Sequence, residues 1–254
     1  MENQDTLPSV SISFHPISHD VDCMKRLRLT SFLQKTQDIA ETHANLYGCG
    51  YRHLIEKNIV WVLSRMKMEM TRMPDWNEPV RLDTWHKRVE RIFALRDFIL
   101  YDSCETPIIK ATSAWLLMDI RSRRMLRVEH ILPHLAQVNI PLDAIKTVPD
   151  KLAPPVKDGL VPMKTHKVCY SDVDLLNHVN NTKYVEWALD CLPSGDNIPN
   201  MHDMTSFQIN FNVEARFQDC VNMVYNSSLD NKTHYVEGTR EEQNLFQCLC
   251  RFGN

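Results

Sequence analysis

The sequence predicts an α+β protein made of two copies of one unit, each a helix followed by several antiparallel strands. Three observations predict it. Asp20-Val21-Asp22 returns as Asp172-Val173-Asp174, an offset of 152 residues, and at that offset Phe32 meets Tyr184 and Leu33 meets Val185 in the helical patterns that follow. The order of polar loop, helix, long strand, turn and further strands repeats as well. Between the copies Pro133, Pro141, Pro149, Pro154, Pro155 and Pro162 crowd one short stretch, which excludes a central strand or a long helix there. The expected division is a first unit at 1–132, an ordered linker wrapping over the surface at 133–162, and a second unit at 163–254.

In the first copy Phe32, Leu33, Thr36, Ile39, Ala40, His43, Ala44 and Tyr47 keep a 3.6-residue period, and Gly48 supplies the stop. Strand patterns follow at 59–70, 80–89, 93–101 and 108–120. The second and third form a hairpin, the fourth is buried, and 73–79 is a turn. In the second copy Asn180 or Asn181 caps a helix whose Val185, Ala188, Leu189 and Leu192 share one face. Tyr184, Trp187 and Cys191 widen that face and leave Lys183, Glu186 and Asp190 on a narrow polar edge, so something as broad as a sheet should cover it. Pro193 ends this helix. Strands at 233–240 and 245–252 echo 93–101 and 108–120, and Arg72-Met73-x-Asp75 meets Arg216-Phe217-x-Asp219 at a slightly smaller offset.

Composition removes several function classes. A net charge of −3 argues against generic nucleic-acid binding, and no apolar run approaches the roughly 20 residues of a membrane span. Residues 1–10 are polar and slightly acidic, without the pattern of a signal or transit peptide. Eight cysteines lack metal-finger spacing, and Cys248 and Cys250 alternate so as to share one face of a strand. Free thiols in a reducing, cytoplasmic setting are expected.

The copies differ where chemistry is concerned. Asn177 and His178 stand where the first copy has Lys25 and Arg26. Lysine and arginine are poor general bases at neutral pH, whereas Asp174 and His178 are suitable. The second half should therefore carry the reaction and the first should shape the ligand pocket. Ordinary roles compete: a turn aspartate satisfied by backbone N–H groups, and a helix-entry histidine bonded to a carbonyl. Asp172, Asp174 and His178 suit a metal, but no second cluster completes a coordination shell, so no metal or other cofactor is expected. Cys169 and Cys220 are candidate nucleophiles in strand-like surroundings, where an inert small hydrophobe is the usual role.

Asp172-Val173-Asp174-x3-His178-Val179-Asn180-Asn181-x2-Tyr184-x2-Trp187 resembles the signature of the plant and bacterial fatty acyl–acyl carrier protein thioesterases. Val80-Arg81-Leu82-Asp83-Thr84-Trp85, Arg96-Asp97-Phe98, Ala114-Trp115-Leu116-Leu117-Met118 and Arg123-Arg124-Met125-Leu126 are similar to family segments in the same order. The resemblance spans roughly 12–252. It implies two tandem hotdog domains, each an antiparallel sheet wrapped around a central helix, paired into one pseudo-symmetric unit. It places the catalytic groups in the second domain and the acyl pocket in the first.

Asp174 and His178 match functional positions of plant members. The family's catalytic asparagine falls at Leu176, with Asn177 beside it, and a Glu-Cys pair falls at Gln218-Asp219. These departures favour water activated by Asp174, or direct attack by it, with Asn177, His178 and Gln218 as helpers. N–H groups of Val179, Asn180 and Asn181 at the helix N-terminus would hold the thioester oxygen. Trp61, Leu63 and Met66 with Thr36 and Ile39 are expected to line the tail pocket. Arg121, Arg123, Arg124 and Arg127 form a candidate docking surface for the acidic carrier protein. The alternatives are a hotdog acyl-CoA thioesterase and a non-catalytic acyl-binding protein, and a homodimer of the tandem unit stays open.

Overall fold

The first apolar period forms α1 (Leu29–Leu46), which buries Phe32, Leu33, Thr36, Ile39, Ala40, His43 and Ala44 along one side. The computed structural model describes residues 9–156, 159–193 and 201–253. Most of the polar stretch 1–10 and part of the expected linker, 157–158, lie outside the described residues. Gly48 ends α1 in the left-handed region at φ +64°, where the N–H of Cys49 reaches the carbonyl of Ala44 at 2.9 Å. A side chain there would be strained.

The chain divides into two compact units, Met1–Met66 with Met73–Pro149, and Lys67–Arg72 with Asp150–Asn254. In the first, β1 (Val10–Phe14) precedes α1, and α2 (Tyr51–Ile55) leads into β2 (Ile59–Met70). Then come β3 (Val80–Glu90), β4 (Phe93–Tyr101), β5 (Pro107–Asp119), β6 (Met125–Leu126), α3 (Val128–Ile131) and α4 (Pro133–Ala136). The sheet order is β1-β3-β4-β5-β2, with β6 paired to β5. In the second unit β7 (Val161–Lys167) precedes α5 (Asn181–Leu189), followed by β8 (Met204–Phe211), β9 (Cys220–Ser227), β10 (Thr233–Arg240) and β11 (Gln243–Phe252). Its order is β7-β9-β10-β11-β8, the first unit's order repeated strand for strand.

The strong strand patterns appear within a residue or so of where the sequence puts them. α5 packs on β10 and β11. Gly238 makes the fit possible, since a Cβ there would lie 2.2 Å from the Phe246 ring, which in turn meets Tyr184 at 5.3 Å. α5 stops at Leu189, four residues before Pro193, and only single turn bonds such as Leu192 N–H to Leu189 continue it.

Among the described residues the proline-rich stretch does not stay on the surface. Pro133 starts α4, Pro162 lies in the edge strand β7, and Ala144 and Ile145 are buried. The cause is a covering layer over β3 and β4. Trp85 Nε1 donates to Leu142 O at 3.2 Å, Lys87 Nζ donates to Ile145 O at 2.8 Å, and the Ala144 N–H donates to Asp97 Oδ2 at 2.8 Å. Lys87 and Asp97, 1% and 0% exposed, pair at 3.1 Å, and Asp143 adds a second carboxylate at 2.6 Å. Burial pushes the Asp97 carboxyl up, while Thr112, Ala144 and Lys87 oppose that. Lys87→Met strands Asp97 as a buried charge and is expected to cost about 3–5 kcal/mol in urea unfolding. A loss below about 1 kcal/mol would show that the pair does not organise this layer.

Candidate active site

The polar loop before each helix is one structure made twice. In the second unit the N–H of Asp174 donates to His178 O at 2.9 Å, Asn177 N–H to Asp174 O at 3.0 Å, and Asn180 N–H to Asp172 O at 2.8 Å. In the first unit Asp22 donates to Arg26 at 2.9 Å, Lys25 to Asp22 at 3.0 Å and Arg28 to Asp20 at 2.8 Å. The aspartate side chains match too: Asp174 Oδ1 accepts from Leu176 N–H at 2.8 Å and Asp22 Oδ1 from Met24 N–H at 2.9 Å. Asn177 and Lys25 take the left-handed turn position at φ 61° and 62°.

A second turn closes on each loop. Val179 N–H donates to Ala215 O and Leu27 N–H to Pro74 O, both at 2.9 Å. Arg216 N–H donates to Asp219 Oδ2 and Asp75 N–H to Glu78 Oε2, both at 2.8 Å, and Gln218 and Asn77 both have positive φ. These turns correspond at an offset of 141, so Asp75 matches Arg216 and Glu78 matches Asp219. The expected match of Arg72 and Asp75 with Arg216 and Asp219 is displaced by three residues.

The charges on this frame differ between copies. In the first, Arg26 pairs with Asp75 at 2.7 Å. In the second, His178 Nδ1 lies 3.1 Å from Glu214 Oε2, with both side chains about a quarter exposed. Arg216 Nη2 lies 3.5 Å from His178 Nε2 and 3.6 Å from Glu214 Oε1. Sequence reasoning missed Glu214. It stands where the first copy has buried Met73, and only the 141 register of the turns would have revealed it.

Asp174 and His178 thus share one loop, and Asp174 Oδ2 is uncommitted among the described residues. Asn177 and Gln218 are exposed and serve as left-handed turn residues, and among the described residues neither side chain makes a hydrogen bond to Asp174 or His178. Val179 and Asn180 have spent their N–H groups on Ala215 and Asp172. That corrects the expected oxyanion set: Asn181 remains. Asn180 caps α5, its Oδ1 accepting from Thr182 N–H at 2.9 Å. Asp172 is buried and takes His166 Nε2 at 2.9 Å and Cys169 N–H at 2.8 Å, which gives it a structural task. No group of three ligating side chains able to hold a metal occurs among the described residues.

Cys169 and Cys220 are exposed. Cys169 lies in the loop after β7 rather than in a strand, with its thiol turned to Lys167 O at 3.1 Å. Cys248 and Cys250 share a buried face, with Sγ atoms 3.8 Å apart.

The first unit contains a cavity of about 80 Å³ lined by Gln37, Ala40, Glu41, Ala44, Cys49, Trp61, His86, Ala94, Arg96, Trp115 and Leu135. Trp61, one of the residues expected at a tail pocket, is on its wall. Thr36 and Ile39 do not; both are packed core, with Thr36 Oγ1 donating to Leu33 O at 2.7 Å. The sequence did not suggest the polar groups on its wall. His86 is pushed down to about 3 by burial and by the nearby Arg96 and His43 charges, so its ring is neutral at ordinary pH. Arg121, Arg123, Arg124 and Arg127 are exposed on and just beyond the turn joining β5 to β6.

Two helix-wrapping antiparallel units in tandem, with a carboxylate–imidazole loop at the helix entry of the second only, define a double hotdog protein. Residues 11–133 match the family described as acyl-ACP thioesterase N-terminal domain, and 158–251 match its C-terminal domain. The chain belongs to the acyl-ACP thioesterase family. It is 27% identical over 233 residues to oleoyl-acyl carrier protein thioesterase 2, chloroplastic, of Arabidopsis thaliana, covering 85% of this chain and 62% of that one. It is 27% identical over 195 residues to the palmitoyl-acyl carrier protein thioesterase, chloroplastic, of the same plant, covering 70% and 46%. The chain therefore spans less than two thirds of these curated relatives. The fold is shared with an acyl-ACP thioesterase from Bacteroides thetaiotaomicron, with TM-score 0.80, 23% identity and 100% of both chains covered. It is also shared with a 12:0-ACP thioesterase from Umbellularia californica, with TM-score 0.81, 19% identity and 96% and 97% coverage. Among the described residues no helix is long and apolar enough to cross a membrane.

Tyr184 fixes the turn that carries Glu214. Its hydroxyl accepts the Ala215 N–H at 2.8 Å, and burial pushes the phenol up to about 12. The first copy has Phe32 and Pro74 at these places, with neither hydroxyl nor N–H. Tyr184→Phe leaves a buried donor unpaired and is expected to cost about 1–3 kcal/mol in chemical denaturation. Adding Ala215→Pro removes that donor and should restore most of the loss. No recovery would show that the bond does not hold the turn.

Proposed function

We propose that the protein hydrolyses fatty acyl thioesters of acyl carrier protein to a free fatty acid and the holo-carrier. The observation that supports this reading is the doubled loop. Its backbone bonds are the same in both units, and each aspartate keeps Oδ2 open among the described residues, yet only the second loop sets that carboxylate beside an imidazole gripped by a glutamate. His178 has both ring nitrogens engaged, by Glu214 and Arg216, whereas Asp174 has Oδ2 open. Asp174 is therefore the group with an acceptor oxygen open to take a proton.

It takes a proton from water as the water oxygen bonds to the thioester carbon. The tetrahedral intermediate then collapses, the C–S bond breaks, and the thiolate receives a proton from the Asp174 carboxyl or through His178. Glu214 fixes the direction of the His178 ring. The Asn181 N–H at the positive end of α5 is the donor available for the developing oxyanion. One such donor is typically worth about a hundredfold to a thousandfold in rate. The acyl chain is assigned to the first unit, where a tail gains roughly 0.8 kcal/mol per buried CH₂. Eight free cysteines suit a reducing compartment such as the cytoplasm.

Asp174→Asn keeps the Oδ1 acceptor for Leu176 N–H, so the loop survives and the assay isolates chemistry. Thiol release from acyl carrier protein thioesters should fall by about two to four orders of magnitude. Near-normal turnover would sink the mechanism. Glu214→Gln frees the His178 ring and should cost about ten- to a hundredfold, with circular dichroism unchanged. Faster release from CoA thioesters than from carrier thioesters would replace the carrier by CoA.

The carrier is acidic, and the exposed Arg123 and Arg124 offer it a positive surface. Opposite charges are screened beyond about 8 Å at physiological salt. The double change of Arg123 and Arg124 to Ala should thus raise KM for carrier substrates and flatten its salt dependence, while leaving a pantetheine thioester untouched. Equal loss on both substrates would make the cluster structural.

A further inference from the structure

The wall of the first-unit cavity is unlike a plain hydrocarbon sleeve. His86 and Arg96 are direct cross-strand partners on β3 and β4, and the register shifts immediately after His86, between it and Arg88. Such a bulge re-aims side chains. Both residues line the cavity and both are buried, at 2% and 8% exposed. His86 gives one ring N–H to the Leu135 backbone, while its buried Nε2 has no partner. Nδ1 is therefore the donor, and Nε2 of the neutral ring is a bare acceptor. Arg96 Nη1 reaches His43 Nδ1 at 2.9 Å and Thr84 Oγ1 at 3.2 Å, and no carboxylate lies within ion-pair distance of it among the described residues. Its remaining N–H groups leave surplus donors beside the bare acceptor.

One small group satisfies both: it must donate to His86 Nε2 and accept from Arg96. A hydroxyl does so. A carboxylate offers Nε2 no proton, and Glu41 on the same wall would repel it. A methylene leaves both polar groups unpaired, at a cost per buried group well above that of a satisfied one. We propose that the first-unit cavity is a subsite for a hydroxyl-bearing acyl chain, recognised between His86 Nε2 and the Arg96 guanidinium. The proposal rests on the acyl thioesterase reading for its substrate and goes beyond it in naming the acyl class.

The test uses the full chain. Trp61 and Trp115 line the cavity, so their fluorescence reports binding of matched-length saturated, hydroxylated and ω-carboxylated fatty acids. The hydroxylated panel should carry the group at several positions. At least one hydroxylated acid should bind about tenfold or more tighter than the saturated one. The same acyl groups on acyl carrier protein should show that order in thiol release. His86→Leu removes the acceptor outright; His86→Asn, which keeps an amide N–H for Leu135 and whose shorter side chain takes its Oδ1 away from the Nε2 position, is the second variant should that one fold poorly. In either, the hydroxyl preference should disappear while saturated chains bind at least as well as before.

Equal or tighter binding of the saturated acid overturns the subsite, as does tightest binding of the ω-carboxylate or a preference that survives both His86 variants. The two readings fail separately. Hydroxyl-selective binding without thiol release upholds the subsite and removes the hydrolase. Thiol release without any hydroxyl preference does the reverse.

Discussion

Everything at the candidate site depends on how the backbone closes at the entry to α5. A helix begins with N–H groups that have no partner inside it. Here Asp172 O takes the one on Asn180, Ala215 O takes the one on Val179, and the Asn180 side chain takes the one on Thr182. This clasp fixes the direction of the helix, holds Asp174 and His178 on one short loop, and pins the turn that delivers Glu214. Because the N–H groups of Val179 and Asn180 are spent on it, the clasp also decides which amide is left to face a substrate.

The same clasp in the first unit, with different side chains on it, separates what the fold needs from what the chemistry needs. Asp22 and Asp174 both cap a neighbouring N–H, so an aspartate there is required by the loop in either copy. The imidazole and its glutamate are not required, since the first copy closes the same loop with Arg26 and Met73 in their places and Arg26 paired to Asp75. Phe32 with Pro74 and Tyr184 with Ala215 are two ways of leaving no orphan donor at the same junction. The first unit uses its freedom elsewhere, in the polar wall that His86 and Arg96 form inside its cavity, with His43 behind it holding Arg96.

Much of this was legible from local pattern. Helix and strand periods are properties of consecutive residues, so α1, β2, β3, β4 and β10 could be placed from the sequence, and the duplicated Asp-Val-Asp located the loops. What local pattern does not carry is partnership across the chain. Glu214 meets His178 only because the turn after β8 folds back, and a register of 141 rather than 144 is invisible without those backbone bonds. Ala144 and Ile145 are buried because Lys87 and Asp97 need capping, which a count of prolines does not reveal. His43 looked like one more apolar-face residue of α1, yet it is the acceptor that positions Arg96.

The central claim is that one loop serves two ends, support in the first unit and hydrolysis in the second. Its most direct measurement is thiol release from acyl carrier protein thioesters by two reciprocal variants with matched thermal stability. Asn177→Lys with His178→Arg gives the second loop the side chains of the first, and the account predicts a folded protein with turnover reduced at least about a hundredfold. Lys25→Ala with Arg26→Ala changes the first loop and should leave the rate constant for hydrolysis within a few-fold of wild type. Full activity in the former, or loss of catalysis without loss of folding in the latter, would contradict it.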